Sequence, residues 1–158
     1  MRNIYLTAIG LGVVAGMRSM SAPAFVSAHL ADNEARESSD RVLRFMSSPR
    51  TALAFKVGAA GEMVADKLPV IPDRISPGPL AGRMVSGALC GWSVCESEAK
   101  PAGIGAAAAG LAAVGSAFAS YYLRRRLTES GRFPDVLVAL AEDAIVLTAG
   151  DLLVNESS

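Results

Sequence analysis

The chain has 158 residues, of which 51% are hydrophobic and 19% charged, and its 15 acidic residues balance its 15 basic ones. With zero net charge, the sequence shows no basic footprint of a nucleic-acid-binding protein, so no nucleic-acid partner is expected. A mean hydropathy of +0.36, with apolar blocks separated by charged loops, is typical of a small polytopic membrane protein. Two cysteines and a single histidine favour neither a disulfide framework nor a histidine-based metal centre.

Five apolar segments are predicted to form membrane-spanning helices. They cover residues 4–26, 51–69, 80–95, 101–123 and 134–154, and a short interfacial helix at 39–46 contains a good N-cap, Asp40. Pro23 is expected to kink or end the first helix. The apolar runs lack the alternation of a membrane β-strand, which excludes a β-barrel. The predicted fold class is therefore all-α, a helix bundle that forms one integral membrane domain over residues 1–158.

The lysine and arginine distribution predicts a cytoplasmic N-terminus and a C-terminus outside. Because the third span is unpaired, spans 4 and 5 would run with the opposite topology to spans 1 and 2, which predicts an inverted repeat. Two Gly-x-x-x-Gly spacings, at 12–16 and 87–91, predict close helix contacts. We expect these surfaces to support a homo-oligomer surrounded by membrane lipids.

Acidic residues inside the apolar segments carry the functional signal. The second segment contains Glu62 and Asp66, and the fifth contains Glu142, Asp143 and Asp151. A carboxylate in hydrocarbon costs at least ~2.5–3.5 kcal/mol, and spanning a bilayer does not require one. Glu62 lies ~16 Å along its span, and Glu142 and Asp143 lie ~12–14 Å along a span that enters from the other side. These three side chains are predicted to meet near the midplane.

The negative charge of these acids must be compensated by basic residues, protons or cations. Arg18 is predicted to reach toward Glu62, Lys67 lies beside Asp66, and Arg83 and Asp151 are placed in a possible outer shell. One deep arginine leaves a surplus of carboxylates, which predicts that a proton or a cation is bound. The predicted ion or proton ligands are listed together as Glu62, Asp66, Glu142 and Asp143, whose hard oxygen atoms suit a divalent cation. No other cofactor is expected, and Glu62→Gln is expected to leave folding intact.

Four ordered motifs carry a family resemblance. They are Gly-x-Arg-Ser…Pro at 16–23, Glu-x-x-x-Asp-Lys-x-Pro at 62–69, Pro-x-x-Gly-Arg at 79–83 and Pro-Asp…Glu-Asp at 134–143. Together they resemble the bacterial membrane family called domain of unknown function 4126. The resemblance covers nearly the whole chain and implies a multi-span inner-membrane protein, but it supplies no activity.

Three functional hypotheses follow from the acids. The leading one is a small transporter or exchanger with a midplane cation or proton site. The alternative is a membrane scaffold or assembly protein, in which the same charges hold helices together. A membrane-embedded enzyme is third, because no recognised catalytic motif accompanies the acids.

Overall fold

The structure is a computed structural model that describes residues 3–32, 38–65, 75–129 and 134–155. These residues form helices and turns and contain no strand, which confirms the predicted all-α class. The helices are α1 Ile4–Met17, α2 Ser21–Asp32, α3 Arg41–Met46, α4 Pro49–Ala65, α5 Pro77–Ser97, α6 Ala102–Glu129 and α7 Asp135–Asn155.

Several helix boundaries follow from local sequence. The Asp40 carboxylate accepts a hydrogen bond from the backbone N–H of Leu43 at 2.8 Å, as expected for the N-cap of α3. Pro77 lies in the first turn of α5, where a missing N–H leaves no intrahelical bond unmade. Among the helices of the described ranges, α6 alone is both long and apolar enough to cross a membrane, while α1 is a shorter apolar helix. Five spans therefore remain a prediction.

The segment predicted as the first span forms two helices instead of one. Helix α1 stops at Met17, Arg18 is extended, and α2 begins at Ser21. The Met20 carbonyl accepts the N–H of Ala24 at 3.1 Å, which starts the new helix. Pro23 falls in the first turn of α2, where proline is tolerated, so it follows the break instead of making it.

Helix α2 runs back along α1, so the two helices form a hairpin with its tip at residues 18–20. A cavity of about 30 Å³ is lined both by Ile4, at the start of α1, and by Leu30, near the end of α2. Ser97, the last residue of α5, and Val154, near the end of α7, line the same cavity. The start of α1 and the end of α7 therefore lie at one end of the bundle, while the side of a membrane on which each terminus lies stays a prediction.

The hairpin tip lies partway along the longest helix. The side chain of Ser116 on α6 donates to the carbonyl of Val13 at 2.8 Å, and a Cβ at Gly16 would overlap the carbonyl of Ala113. Ala113 lies ~17 Å from the start of α6, a helix ~42 Å long. The tip is therefore near the middle of the predicted span 101–123.

The two Gly-x-x-x-Gly surfaces, here called the glycine seams, pack against α6 of the same chain. A Cβ added at Gly12 would overlap backbone of Ala109, and one added at Gly91 would overlap backbone of Gly105, so α1 and α5 both approach α6 closely. This confirms the predicted close contacts. It also means that both seams are already occupied by α6, so they no longer support the expected homo-oligomer.

Candidate functional site

The hairpin tip is a break between α1 and α2 inside the bundle, so its backbone polar groups need hydrogen-bond partners. The last carbonyls of α1 and the first amides of α2 lack intrahelical partners and need others nearby. The structure supplies these partners from α4 and α5. The tip, its partners and the charges beside it form the candidate site.

Glu62 of α4 holds the start of α2. Its carboxylate accepts hydrogen bonds from the backbone N–H of Ser19 at 3.0 Å, the hydroxyl of Ser19 at 3.0 Å and the N–H of Met20 at 2.9 Å. A carboxylate at this position also interacts favourably with the positive end of the α2 dipole. Glu62 is therefore the cap of α2, a role that spacing alone did not predict.

Arg83 and Ser86 of α5 hold the other side of the break. Arg83 is 5% exposed, and its guanidinium donates to the carbonyl of Gly16 at 2.9 Å. The hydroxyl of Ser86 donates to the carbonyl of Ser19. The cation lies at the negative end of α1, where the helix dipole favours it.

Arg18 occupies the tip itself and is 1% exposed. Its guanidinium forms an ion pair with the carboxylate of Asp143 on α7, which is 8% exposed. Burial removes water from both groups, so each ion depends on protein partners for its stability. The pair joins the tip to α7, just as Glu62 joins it to α4.

Glu142, the neighbour of Asp143, also has a basic partner. Arg124 of α6 lies 3.7 Å from its carboxylate. The charges described around the tip therefore balance, with Arg18, Arg83 and Arg124 on one side and Glu62, Glu142 and Asp143 on the other. The surplus of negative charge expected from the sequence is not found among these six residues, because Arg83 and Arg124 contribute as well as Arg18.

The remaining predicted site residues divide into two groups. Asp66 and Lys67 lie outside the described residues. Asp151 is exposed and accepts a hydrogen bond from the side chain of Asn155 at 2.8 Å. It lies two turns beyond Asp143 on α7, ~12 Å away along the axis. Within the described ranges, no three His, Cys, Asp or Glu side chains are grouped closely enough to hold a metal ion.

Sequence reasoning found the acids but not all of their partners. Arg83 was assigned to an outer position, and no role at the site was expected of Arg124. Arg83 lies about one turn before Ser86 on α5, and Arg124 lies about two turns beyond Ser116 on α6, so both are on helices that pass the tip. Ser86 gave no signal of its own, since serine is common in small-residue helices.

The fold and the site together define an all-helical protein with a buried, charge-balanced break between two helices. The family model for domain of unknown function DUF4126 matches residues 5–154. The chain belongs to this family, as its ordered motifs predicted. Comparison with curated proteins found no match, and comparison with solved structures found none either.

Proposed function

We propose that the chain is an integral membrane protein in which α4 to α7 cross the bilayer and the α1–α2 hairpin enters it only to mid-depth. Large apolar side chains are exposed on all four of these helices. Examples are Leu53, Val57 and Val64 on α4, Val85 on α5, Ile104 and Leu111 on α6, and Ile145 and Leu147 on α7. Water-soluble monomers rarely expose apolar surface this extensively, whereas lipid contact favours it.

Within the membrane, the hairpin tip acts as the centre of a small transporter or exchanger for a proton or a cation. One observation carries this proposal: interrupted backbone and buried charges meet near the middle of the longest helix. Non-helical backbone at membrane depth is tolerated where protein buries it or a water-filled cavity reaches it. Helix breaks of this kind form the ion and substrate sites of many transporters.

The geometry suggests a mechanism for the tip. Glu62 attaches it to α4, and Asp143 attaches it to α7. A proton on either carboxylate, or a cation bound to it, removes negative charge from one attachment and leaves the other in place. The tip then favours one neighbouring helix over the other, which is a means of alternating access. Because the resident charges balance, the transported positive charge enters by competing with a resident arginine or by protonating a carboxylate.

Flux measurements test the proposal. Purified protein in proteoliposomes should carry protons or one of a panel of monovalent and divalent cations, measured with internal dyes over a range of pH. Glu62→Gln and Asp143→Asn should abolish the flux. Asp151→Asn, which neutralises an exposed carboxylate on the same helix as Asp143, should retain it. Wild-type liposomes that carry neither protons nor any cation of the panel would overturn the transport proposal.

The charge balance also favours the second candidate, a membrane scaffold whose charges hold the helices together. The double variant Arg18→Met with Asp143→Leu separates the two functions, because an apolar pair of similar volume preserves the packing. A transporter should lose its flux in this variant while remaining folded. A scaffold that has no flux to lose should keep its assembly with other copies or partners.

The proposed partners are membrane lipids and further copies of the chain. Since α6 occupies both glycine seams, a homo-oligomer would use the exposed apolar faces instead. Mass measurement in nanodiscs across several lipid mixtures tests this part. A purely monomeric protein in all of them would leave lipid as the occupant of those faces.

A further inference from the structure

A groove separate from the charged tip lies between α2, α4 and α7. It has a volume of about 290 Å³ and is lined by Ser21, Lys56 and apolar side chains. Ala24 and Ala28 of α2 face Ala59 and Ala60 of α4, while Leu147 of α7 contributes to the wall. The small side chains leave room that larger residues would fill. The apolar lining suits a hydrocarbon chain.

Two polar groups in the groove are not used by the rest of the described structure. Ser21 is 1% exposed, and its hydroxyl has no hydrogen-bond partner within the described ranges. Lys56 is exposed and forms no ion pair with any described residue. Ser21 directly follows Met20 of the tip, so its hydroxyl lies at the deep end of the groove and Lys56 lies at the outer end. A free cation at the rim of an apolar groove favours a ligand that carries a negative charge.

We propose that this groove binds one acyl chain of an anionic membrane phospholipid, with the phosphate at Lys56 and the chain running along the apolar walls toward the tip. Lys56 lies six residues before Glu62, so it is ~9 Å from the level of the tip, toward the start of α4. Its long side chain can extend further toward the headgroup region. The charge at the outer end and the apolar walls that lead inward thus match the headgroup and the acyl chain of such a lipid in their order along the groove.

The bound lipid would pack against the outer face of α2 and against Met63, the neighbour of Glu62. It would therefore contact the two helices that Glu62 joins at the tip. The proposal rests on the membrane placement of the proposed function but not on transport. Lipid binding and flux are measured separately, so loss of one proposal leaves the other open to its own test.

Native mass spectrometry of the full chain tests the binding, with phosphatidylglycerol as the anionic probe and phosphatidylcholine of the same acyl chains as the neutral one. Wild type should retain phosphatidylglycerol in preference to phosphatidylcholine. Lys56→Gln should reduce that preference about fivefold, the effect of one basic residue on an anionic headgroup. Arg126→Gln, an exposed cation at the far end of α6, is the control and should leave the preference unchanged.

Two further variants separate the groove from general lipid contact. Ala59→Leu should fill the groove and lower phosphatidylglycerol retention about tenfold, whereas Ala107→Leu, on an exposed face of α6, should not. Ser21→Ala should leave the thermal stability of lipid-free protein unchanged or raised, since the lost hydroxyl had no partner. It should leave the retention of phosphatidylglycerol unchanged, because the hydroxyl lies near the end of the bound chain and far from the headgroup.

Photo-crosslinking locates the lipid. Phosphatidylglycerol with a diazirine in its acyl chain should label peptides of α2 and α4, and Ala59→Leu should remove this label. Equal retention of the two lipids by wild type would overturn the proposal and indicate ordinary lipid contact. Labelling spread evenly over all helices would overturn it as well.

Discussion

Glu62 accepts three hydrogen bonds from Ser19 and Met20, so at the scale of single residues it acts as a helix cap. The sequence placed it among like charges, because its depth matched that of Glu142 and Asp143. In the structure, backbone N–H groups of the tip donate hydrogen bonds to its carboxylate and stabilise the negative charge. This changes the expected consequence of neutralising it.

Glu62→Gln should now destabilise the protein, by about 1 kcal/mol, because the amide group of glutamine cannot accept the bond from Met20. Glu62→Ala removes all three bonds and should cost more, about 2 kcal/mol or above. Thermal and chemical unfolding in a mild detergent, followed by far-ultraviolet circular dichroism, measures both. Glu129→Gln is the control, since its ion pair with Arg125 is exposed and should matter little. A Glu62→Gln protein more stable than wild type would contradict the capping role and indicate that Glu62 is repelled by neighbouring carboxylates.

The ion pair of Arg18 with Asp143 gives the second prediction. Arg18→Met alone or Asp143→Leu alone leaves a buried charge without its partner and should cost about 3–5 kcal/mol. The double variant should recover most of this loss, because neither charge remains. Unfolding free energies of the four proteins give the coupling energy. Costs that simply add would show that the two side chains do not depend on each other.

The same cycle on Arg125 and Glu129 provides a matched control. This pair is also one arginine with one carboxylate, and its atoms lie 2.8 Å apart, but both side chains are exposed. Solvent screening should reduce its coupling to about 0.5 kcal/mol or less. The contrast between the two cycles isolates the contribution of burial.

At the scale of the helices, sequence located the elements better than it located their directions. Apolar blocks bounded by charged loops placed α4 to α7 closely, since hydrophobic length is a property of composition. Hydropathy does not reveal whether a chain continues or turns back. The overall hydropathy of residues 4–26 predicts one span, yet the structure divides nearly the same stretch into helices of 14 and 12 residues.

Three residues near the tip contained the signal that was missed. Arg18 interrupts the apolar run, Ser19 offers a hydroxyl to a cap, and Pro23 suits the first turn of a new helix better than the middle of an old one. Only part of the site could be predicted from the sequence, for a similar reason. The cost of placing a charge inside an apolar segment singles out Glu62 and Asp143, whereas the partners of these residues depend on which helices turn back.

The glycine seam gives a prediction for the helix core. Gly12→Ala should destabilise the protein by at least about 2 kcal/mol, because its Cβ would overlap the backbone of Ala109 and two helices would have to separate. Gly115 lies on the same helix as Ala109 but has open space around it. Gly115→Ala should therefore stabilise α6 by about 0.5–1 kcal/mol through helix propensity. Unfolding measurements on the two alanine variants test this, and equal effects would contradict the close packing of α1 on α6.

At the scale of the whole molecule, the hairpin determines which ends of the chain share a side. One continuous first helix would place the two termini on opposite sides of a membrane, as five crossings require. In the proposed membrane placement, the hairpin returns the chain to the side where it began, and four further crossings would bring the C-terminus back to that side. Helices α4 and α7 run toward the tip from opposite ends of the bundle. They place Glu62 and Asp143 at the level of the tip, where both carboxylates find partners.

Single-cysteine labelling tests this topology directly. In a background with Cys90 and Cys95 replaced by alanine, both being buried free thiols, cysteine is introduced at Asn3, Ser76, Glu129 or Asn155. Positions 3 and 155 should react with an impermeant maleimide from one side of sealed membrane vesicles, and positions 76 and 129 from the other. The reason is that α1 starts and α7 ends at the same end of the bundle, whereas α5 starts and α6 ends at the far end. Labelling of 3 and 155 from opposite sides would show that residues 4–26 cross the membrane once, and it would remove the hairpin tip as a site at mid-depth.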